Sequence, residues 1–312
     1  MAEENQNELI RRLEEKFAQE KQPLATYLEG LLHSDYLKYW DYINLDALLS
    51  LQHPRTNFPD EKTFILYHQI TELYFRLIRN AIELVAEEKN LTAEFFVKQL
   101  QRVVNYFGHL SSSFSVMLDG MDRGQFLAFR LALAPASGFQ SAQYRIIEIY
   151  STDLINLIRH DKRSPGLLQK SPAELLELVY WKQGGLEAET GRKTLTLRQF
   201  EEKYQNEFIG IASMWNTINL RQRYHSLPEA ERKNAELIDL LRRFDHIANV
   251  NWPLVHYKTA ARYMDRKPDE VAATGGTNWK QYLAPKNQLI QFFPELWSKE
   301  ETEKWGMEMW YE

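Results

Sequence analysis

Between Pro59 and Pro135 the chain carries no proline, and through that interval its apolar residues recur at helical spacing in two long runs, roughly 61–88 and 92–118. Proline removes a backbone donor and clashes with the preceding turn, so a stretch without it is free to hold long uninterrupted helices. One face of the first run carries Phe64, His68, Thr71, Phe75, Ile78 and Ile82. One face of the second carries Phe95, Leu100, Val103, Phe107, Leu110 and Phe114. Two such amphipathic helices must bury their stripes, and the rest of the chain offers more helices rather than strands to bury them against. The expected fold is all-α: a single large helical domain over 1–312, with long helices around a pocket.

Local signals mark further helices. Ser171-Pro172-Ala173-Glu174 and Ser226-Leu227-Pro228-Glu229 both read as capping boxes, the first with proline at its opening position. Thr92 is placed to cap the second long helix. Residues 172–181, 197–219 and 228–265 continue as helical patterns, and Pro253 should kink or break the last of these just before His256. The best strand signal, Thr194–Leu197, is too short to stand alone. The three glycines within 183–193 mark the most flexible connection.

The chain has 44% hydrophobic and 26% charged residues, enough to fill a sizeable core. Its net charge of −5 argues against nucleic-acid binding, which usually needs a basic excess. There is no cysteine, which excludes disulfides, iron–sulfur clusters and a thiolate haem ligand. No window approaches a membrane span, and the polar segment 1–20 lacks the apolar core of a signal peptide, so the expected location is the cytoplasm. Aromatic residues are plentiful, with 8 Trp, 16 Tyr and 16 Phe; they fill a core or wall a pocket for a flat ligand.

Without cysteine, the eight histidines are the natural ligands for a borderline metal. No close pair of the zinc-binding kind is present. His33, His53, His160 and His225 lie beside charged or turn residues and read as surface, while His109 and His246 could be either. His68 sits on an apolar helix, either as a satisfied core histidine or as a pocket group. His256 follows the proline break. It is either a partly buried packing residue or the single helical histidine that a five-coordinate haem needs. Arg130 interrupts the apolar run 126–131 and must meet an internal carboxylate or an anionic ligand. The loop Thr274-Gly275-Gly276-Thr277-Asn278 either closes over a ligand or connects two helices.

Four segments in order resemble the tryptophan 2,3-dioxygenase family. They are Tyr39-Trp40-Asp41-Tyr42-Ile43-Asn44-Leu45-Asp46, Phe64-Ile65-Leu66-Tyr67-His68-Gln69, the run Phe126 to Arg130 followed by Pro135-Ala136-Ser137-Gly138-Phe139-Gln140-Ser141, and His256 with Thr274-Gly275-Gly276 and Phe292-Phe293-Pro294-Glu295-Leu296. The matches cover about 36–145 and 252–297. The resemblance implies an all-helical haem dioxygenase that opens the indole ring of L-tryptophan with O2, in the kynurenine pathway. It implies haem b, ferrous when active, held by His256. His68 would hydrogen-bond the indole N–H and Phe64 would pack on the ring, with Ile65, Leu66, Tyr67 and Phe126 alongside. Arg130 would take the carboxylate, and Thr274 the amino-acid end. Tyr39, Tyr42 and Ile43, in an N-terminal segment (1–55), would reach into a neighbouring subunit of a homo-oligomer, dimer or tetramer. No nucleic acid and no membrane is expected as a partner. Phe126 stands where the family usually has Tyr, and Leu131 where it has Asp. These two positions motivate the alternatives: an oxygenase of the same fold acting on another aromatic amino acid, or a non-catalytic haem-binding protein.

Overall fold

A computed structural model describes residues 2–33, 38–133, 140–187, 190–256, 259 and 285–307. Thr274 and its loop, and the turn 134–139, lie outside the described residues. The chain divides into two compact units, 1–52 and 53–312. The first holds α1 (Ala2–Gln19), α2 (Leu24–His33), α3 (Tyr39–Tyr42) and α4 (Leu45–Leu49). It buries none of the residues of its last three helices, and Tyr39 and Tyr42 are 71% and 73% exposed.

The second unit is built on the two long helices anticipated above, α5 (Asp60–Glu87) and α6 (Ala93–Ser113). The short connection 88–92 turns the chain back, and Thr92 closes it by accepting a hydrogen bond from the Phe95 amide at 3.2 Å. Along α5 the buried line is Tyr67, Thr71, Phe75, Ile78 and Ile82, and along α6 it begins at Ala93 and carries Phe96 rather than Phe95. The first buried aromatic of the α6 stripe is thus one residue later than the sequence pattern suggested. The first turns of α5 leave Phe64 half-buried and His68 accessible on the flank next to that line.

Phe114 ends α6 and begins α7 (Ser115–Gly120), after which come α8 (Arg123–Phe129) and a 3-10 turn, Arg130–Leu133. Next, α9 (Ala142–Ser151) packs on α5, with Ser141 as its cap. Its buried Arg145 and Glu148 form an ion pair at 2.8 Å, and the Tyr180 hydroxyl donates to Glu148 at 2.5 Å. Removing either charge would leave the other stranded, which costs about 3–5 kcal/mol. Beyond lie α10 (Pro172–Leu176), which keeps its capping box, then α11 (Tyr180–Gln183), α12 (Leu195–Trp215), α13 (Leu220–Ser226), α14 (Glu229–Arg232) and α15 (Ala235–His246). Among the described residues there is no strand, only two isolated bridges.

Two local expectations are corrected, for Ser226 and for 228–265, and two points left open, at Thr194 and at Pro253, are resolved. Thr194–Leu197 is not a strand: Thr194 caps α12 by accepting from the Leu197 amide. Ser226 is no capping residue, because its hydroxyl donates to the Arg223 carbonyl at 2.8 Å within α13. The pattern 228–265 is not one helix. It stops at Lys233, and Asn234 starts a new one by accepting from the Leu237 amide. Finally, Pro253 does not break the helix. The turn before it, Ile247–Asn251, is π-helical, and the Trp252 amide reaches back to the Ile247 carbonyl. That wider turn absorbs the missing proline donor, and the helix continues to 256.

Candidate functional site

Helices α5, α7 and α8 and the helical residues 252–256 meet in one aromatic cluster of the second unit. Tyr67 from α5, Phe114, Met117 from α7, Met121 and Phe129 from α8 are buried together. Phe64, Leu118, Phe126, Trp252 and Val255 pack against them. The Phe64 ring lies 6.1 Å from Phe126 and 5.8 Å from Phe129, with the latter edge-on. Tyr67 receives a hydrogen bond on its hydroxyl from Ser113 at 3.4 Å. Burial raises its pKa. Ile65 and Leu66 are half-buried on the same turn.

His68 stacks on Phe64 at 4.0 Å and meets Tyr67 edge-on at 5.7 Å. Its Nδ1 lies 2.7 Å from the Phe64 carbonyl. A carbonyl only accepts, so Nδ1 carries the proton and, in the neutral ring, Nε2 keeps its lone pair. Burial lowers the His68 pKa even though the side chain retains accessible surface. Its stacked face is covered by Phe64 while an edge stays accessible.

His256 comes from the helical residues 252–256 that follow the π turn. Its ring lies over Phe114 at 6.0 Å and 28°, and Phe114 in turn packs on Trp252 at 4.8 Å. Burial, and then the charge of His68, push its pKa down to about 4. A charge on His68 thus opposes protonation of His256. Neither ring nitrogen of His256 hydrogen-bonds a described residue. No group of three or more His, Asp or Glu able to hold a bare metal ion occurs among the described residues.

Arg130 follows Phe129 at the start of the 3-10 turn, half-buried, four residues beyond Phe126. Among the described residues it has no acidic partner, so the structure leaves open the anionic-ligand reading made from the sequence. Tyr39, Tyr42 and Ile43 belong to the first unit. Phe114 and Trp252 were not among the residues singled out. Phe114 lay on the α6 stripe, and Trp252 stands at i−4 from His256, the only sequence signals that could have found them. His246 is fully buried beside Trp297 and Trp305, away from the surface-or-site choice made for it.

The site's outer support is polar. Asp245, fully buried in α15, accepts from the Phe292 and Phe293 amides at 2.7 and 3.0 Å, from the Trp297 indole at 2.9 Å and from the Asn249 side chain at 2.9 Å. It fastens the segment 292–297 to the helix that leads into the π turn. Burial nevertheless raises its pKa to about 6.

Comparison with known proteins identifies the class. The family model described as tryptophan 2,3-dioxygenase matches residues 3–180. A tryptophan 2,3-dioxygenase of Ruegeria sp. (strain TM1040) is 31% identical over 278 residues, 85% of this chain and 92% of that protein. That of Ruegeria pomeroyi is 32% identical over 270 residues, covering 84% and 91%. That of Bradyrhizobium diazoefficiens is 31% identical over 277 residues, again 84% and 91%. None of the described helices is long and apolar enough to cross a membrane. The chain belongs to the tryptophan 2,3-dioxygenase family and is an oxygenase.

Proposed function

We propose that this chain adds both atoms of O2 across the indole 2,3 bond of L-tryptophan to give N-formyl-L-kynurenine, in the cytoplasm, with a haem b held by His256. The observation that carries this reading is that His68, stacked on Phe64, and His256, stacked on Phe114, converge on one aromatic cluster. The residues fit the group. An uncharged imidazole has a lone pair for iron, His256 engages no described hydrogen-bond partner, and Phe114 and Trp252 set a flat apolar wall beside it. Bound there, ferrous haem supplies the O2 activation that no side chain can supply.

The chain's own residues do the rest. His68 offers Nε2 as an acceptor for the indole N–H, its Nδ1–H being committed to the Phe64 carbonyl. Phe64 and Phe126 present apolar surface to the indole and keep water from it. Arg130 presents a planar guanidinium to the amino-acid carboxylate, and a contact at each end of the substrate fixes its orientation. Thr274 would join the amino-acid end. Tyr39, Tyr42 and Ile43 would complete a neighbour's site in a homo-oligomer, which accords with the exposure of the two tyrosines.

The test is purification with haem, reduction, and addition of L-tryptophan and O2. The expected results are a Soret band, product absorbance of N-formylkynurenine, loss of most haem in His256→Ala, and at least a dimer by light scattering. A normal Soret spectrum in His256→Ala would overturn the ligand assignment. A haem-loaded protein inert toward L-tryptophan would overturn the substrate.

A further inference from the structure

The first residue of α5 and the first turn of α8 are tied by a reciprocal pair of hydrogen bonds. The Asp122 amide donates to Asp60 Oδ2 at 2.6 Å, and the Asp60 amide donates to the side-chain carbonyl of Gln125 at 3.2 Å. Asp122 also caps α8, its Oδ1 accepting from the Gln125 amide at 2.8 Å. Each helix thereby satisfies an orphan amide at its N-terminus with an oxygen from the other helix's end. The neighbouring Glu61 faces the other way and accepts from the Arg55 and Thr56 amides at 2.8 and 2.7 Å. Adjacent carboxylates therefore fix the start of α5 on both sides.

We infer that this Asp60–Gln125 clasp is a positioning device for substrate recognition, an inference that rests on the proposed function. Its two ends lead directly into the site. Phe64 and His68 stand one and two turns beyond Asp60 on α5. Phe126 and Arg130 follow Gln125 on α8 and its 3-10 extension. Helix α8 has only 7 residues, too short to hold its place by its own ladder. Its attachment to α5 includes the rings of Phe126 and Phe129 packed on Phe64 and Tyr67, apolar contacts that can slide, and the clasp, which fixes register. The clasp therefore sets the distance between the group that reads the indole N–H, on α5, and the group that reads the carboxylate, on α8. It has no link among the described residues to His256. The tie acts on substrate geometry rather than on haem retention.

The experiment compares haem-loaded wild type with Asp60→Ala, Gln125→Leu and Asp60→Asn, the last keeping an acceptor oxygen. A shift of about 1 Å in a binding group is enough to cost up to on the order of a hundredfold. The expected result is a rise of about tenfold in KM and in calorimetric Kd for L-tryptophan in the first two variants, with kcat within about threefold and haem content unchanged. Amide hydrogen exchange over 123–130 should quicken while that over 93–113 does not. Asp60→Asn should stay close to wild type in every readout. Unchanged exchange at 123–130 would overturn the clasp, and quickened exchange with unchanged KM and Kd would overturn its positioning role. Asp60→Asn behaving like Asp60→Ala would likewise overturn the hydrogen-bonding account. A wild type that neither binds nor turns over L-tryptophan overturns the proposed function instead, and exchange then decides the clasp by itself.

Discussion

Replacing Asp245 by Asn changes one atom in a fully buried position and should cost more than its size suggests. Each carboxylate oxygen accepts two hydrogen bonds: Oδ1 from the Phe292 amide and Asn249, Oδ2 from the Phe293 amide and the Trp297 indole. The substituted amide has one acceptor oxygen, so its NH2 faces donors. If it takes the Oδ1 place, it faces the Phe292 amide and the Asn249 NH2, and a flip of Asn249, which would give up its bond to the Asp245 carbonyl, still leaves the Phe292 amide stranded. Leaving one buried donor unpaired and weakening the remaining charge-assisted bonds amounts to about 3 kcal/mol. For a chain of this size that lowers Tm by roughly 4–5 °C.

The pH dependence carries a sign as well. Burial raises the Asp245 pKa from 3.8 to about 6. A carboxyl raised on folding contributes stability that is present below its unfolded pKa and is lost as pH rises through the folded value. Between pH 7.5 and 5 the folded state therefore takes up most of a proton that the unfolded state does not, worth about 1.4 kcal/mol. Urea unfolding of wild type and Asp245→Asn at both pH values, at matched haem content, isolates this group because all others cancel in the difference. The stability gap should widen from about 3 kcal/mol at pH 7.5 by about 1.4 kcal/mol at pH 5. A gap that stays constant or narrows would refute the reasoning.

Two further outcomes follow from the site. Arg130→Lys keeps the charge but loses the planar fork, and should raise the KM for L-tryptophan by about tenfold, while tryptamine, which has no carboxylate, should be a poor substrate little affected by the change. Equal use of both compounds by both proteins would return Arg130 to a structural role. His68→Ala should keep its haem and slow turnover by roughly ten- to a hundredfold, the worth of an orienting hydrogen bond; complete loss with haem intact would instead point to obligatory base catalysis.

The long helices were legible because periodicity repeated over many turns outweighs any single misplaced residue; α5 and α6 fall within a few residues of expectation. Short-range capping signals were legible only where tertiary contacts did not compete. Ser171 and Ser226 head the same pattern, yet Ser226 spends its hydroxyl on the Arg223 carbonyl of the preceding helix. Thr194 begins the alternating run Thr194-Leu195-Thr196-Leu197 and caps a helix instead. At the site, each residue type was legible from motif resemblance, but the convergence of His68 and His256 on one aromatic cluster, and the packing of Phe114 at the end of α6 on Trp252, depend on contacts between residues more than a hundred positions apart. The clasp between Asp60 and Gln125 had no sequence signature, since neither residue lies in a recognisable pair.

The π turn before Pro253 amounts to one residue more than an α-helix needs over the same span. Its consequence is angular. Each α-helical residue advances the phase by about 100° and the axis by 1.5 Å. Deleting one residue of 247–251 would restore a regular ladder, but the Pro253 ring would then meet the carbonyl that the wide turn had moved aside. Every side chain downstream would also swing by about 100°, carrying His256 off the Phe114 face that now frames it. The azimuth of the proposed iron ligand is thus written not in the ligand or its neighbours but in a single surplus residue one turn upstream.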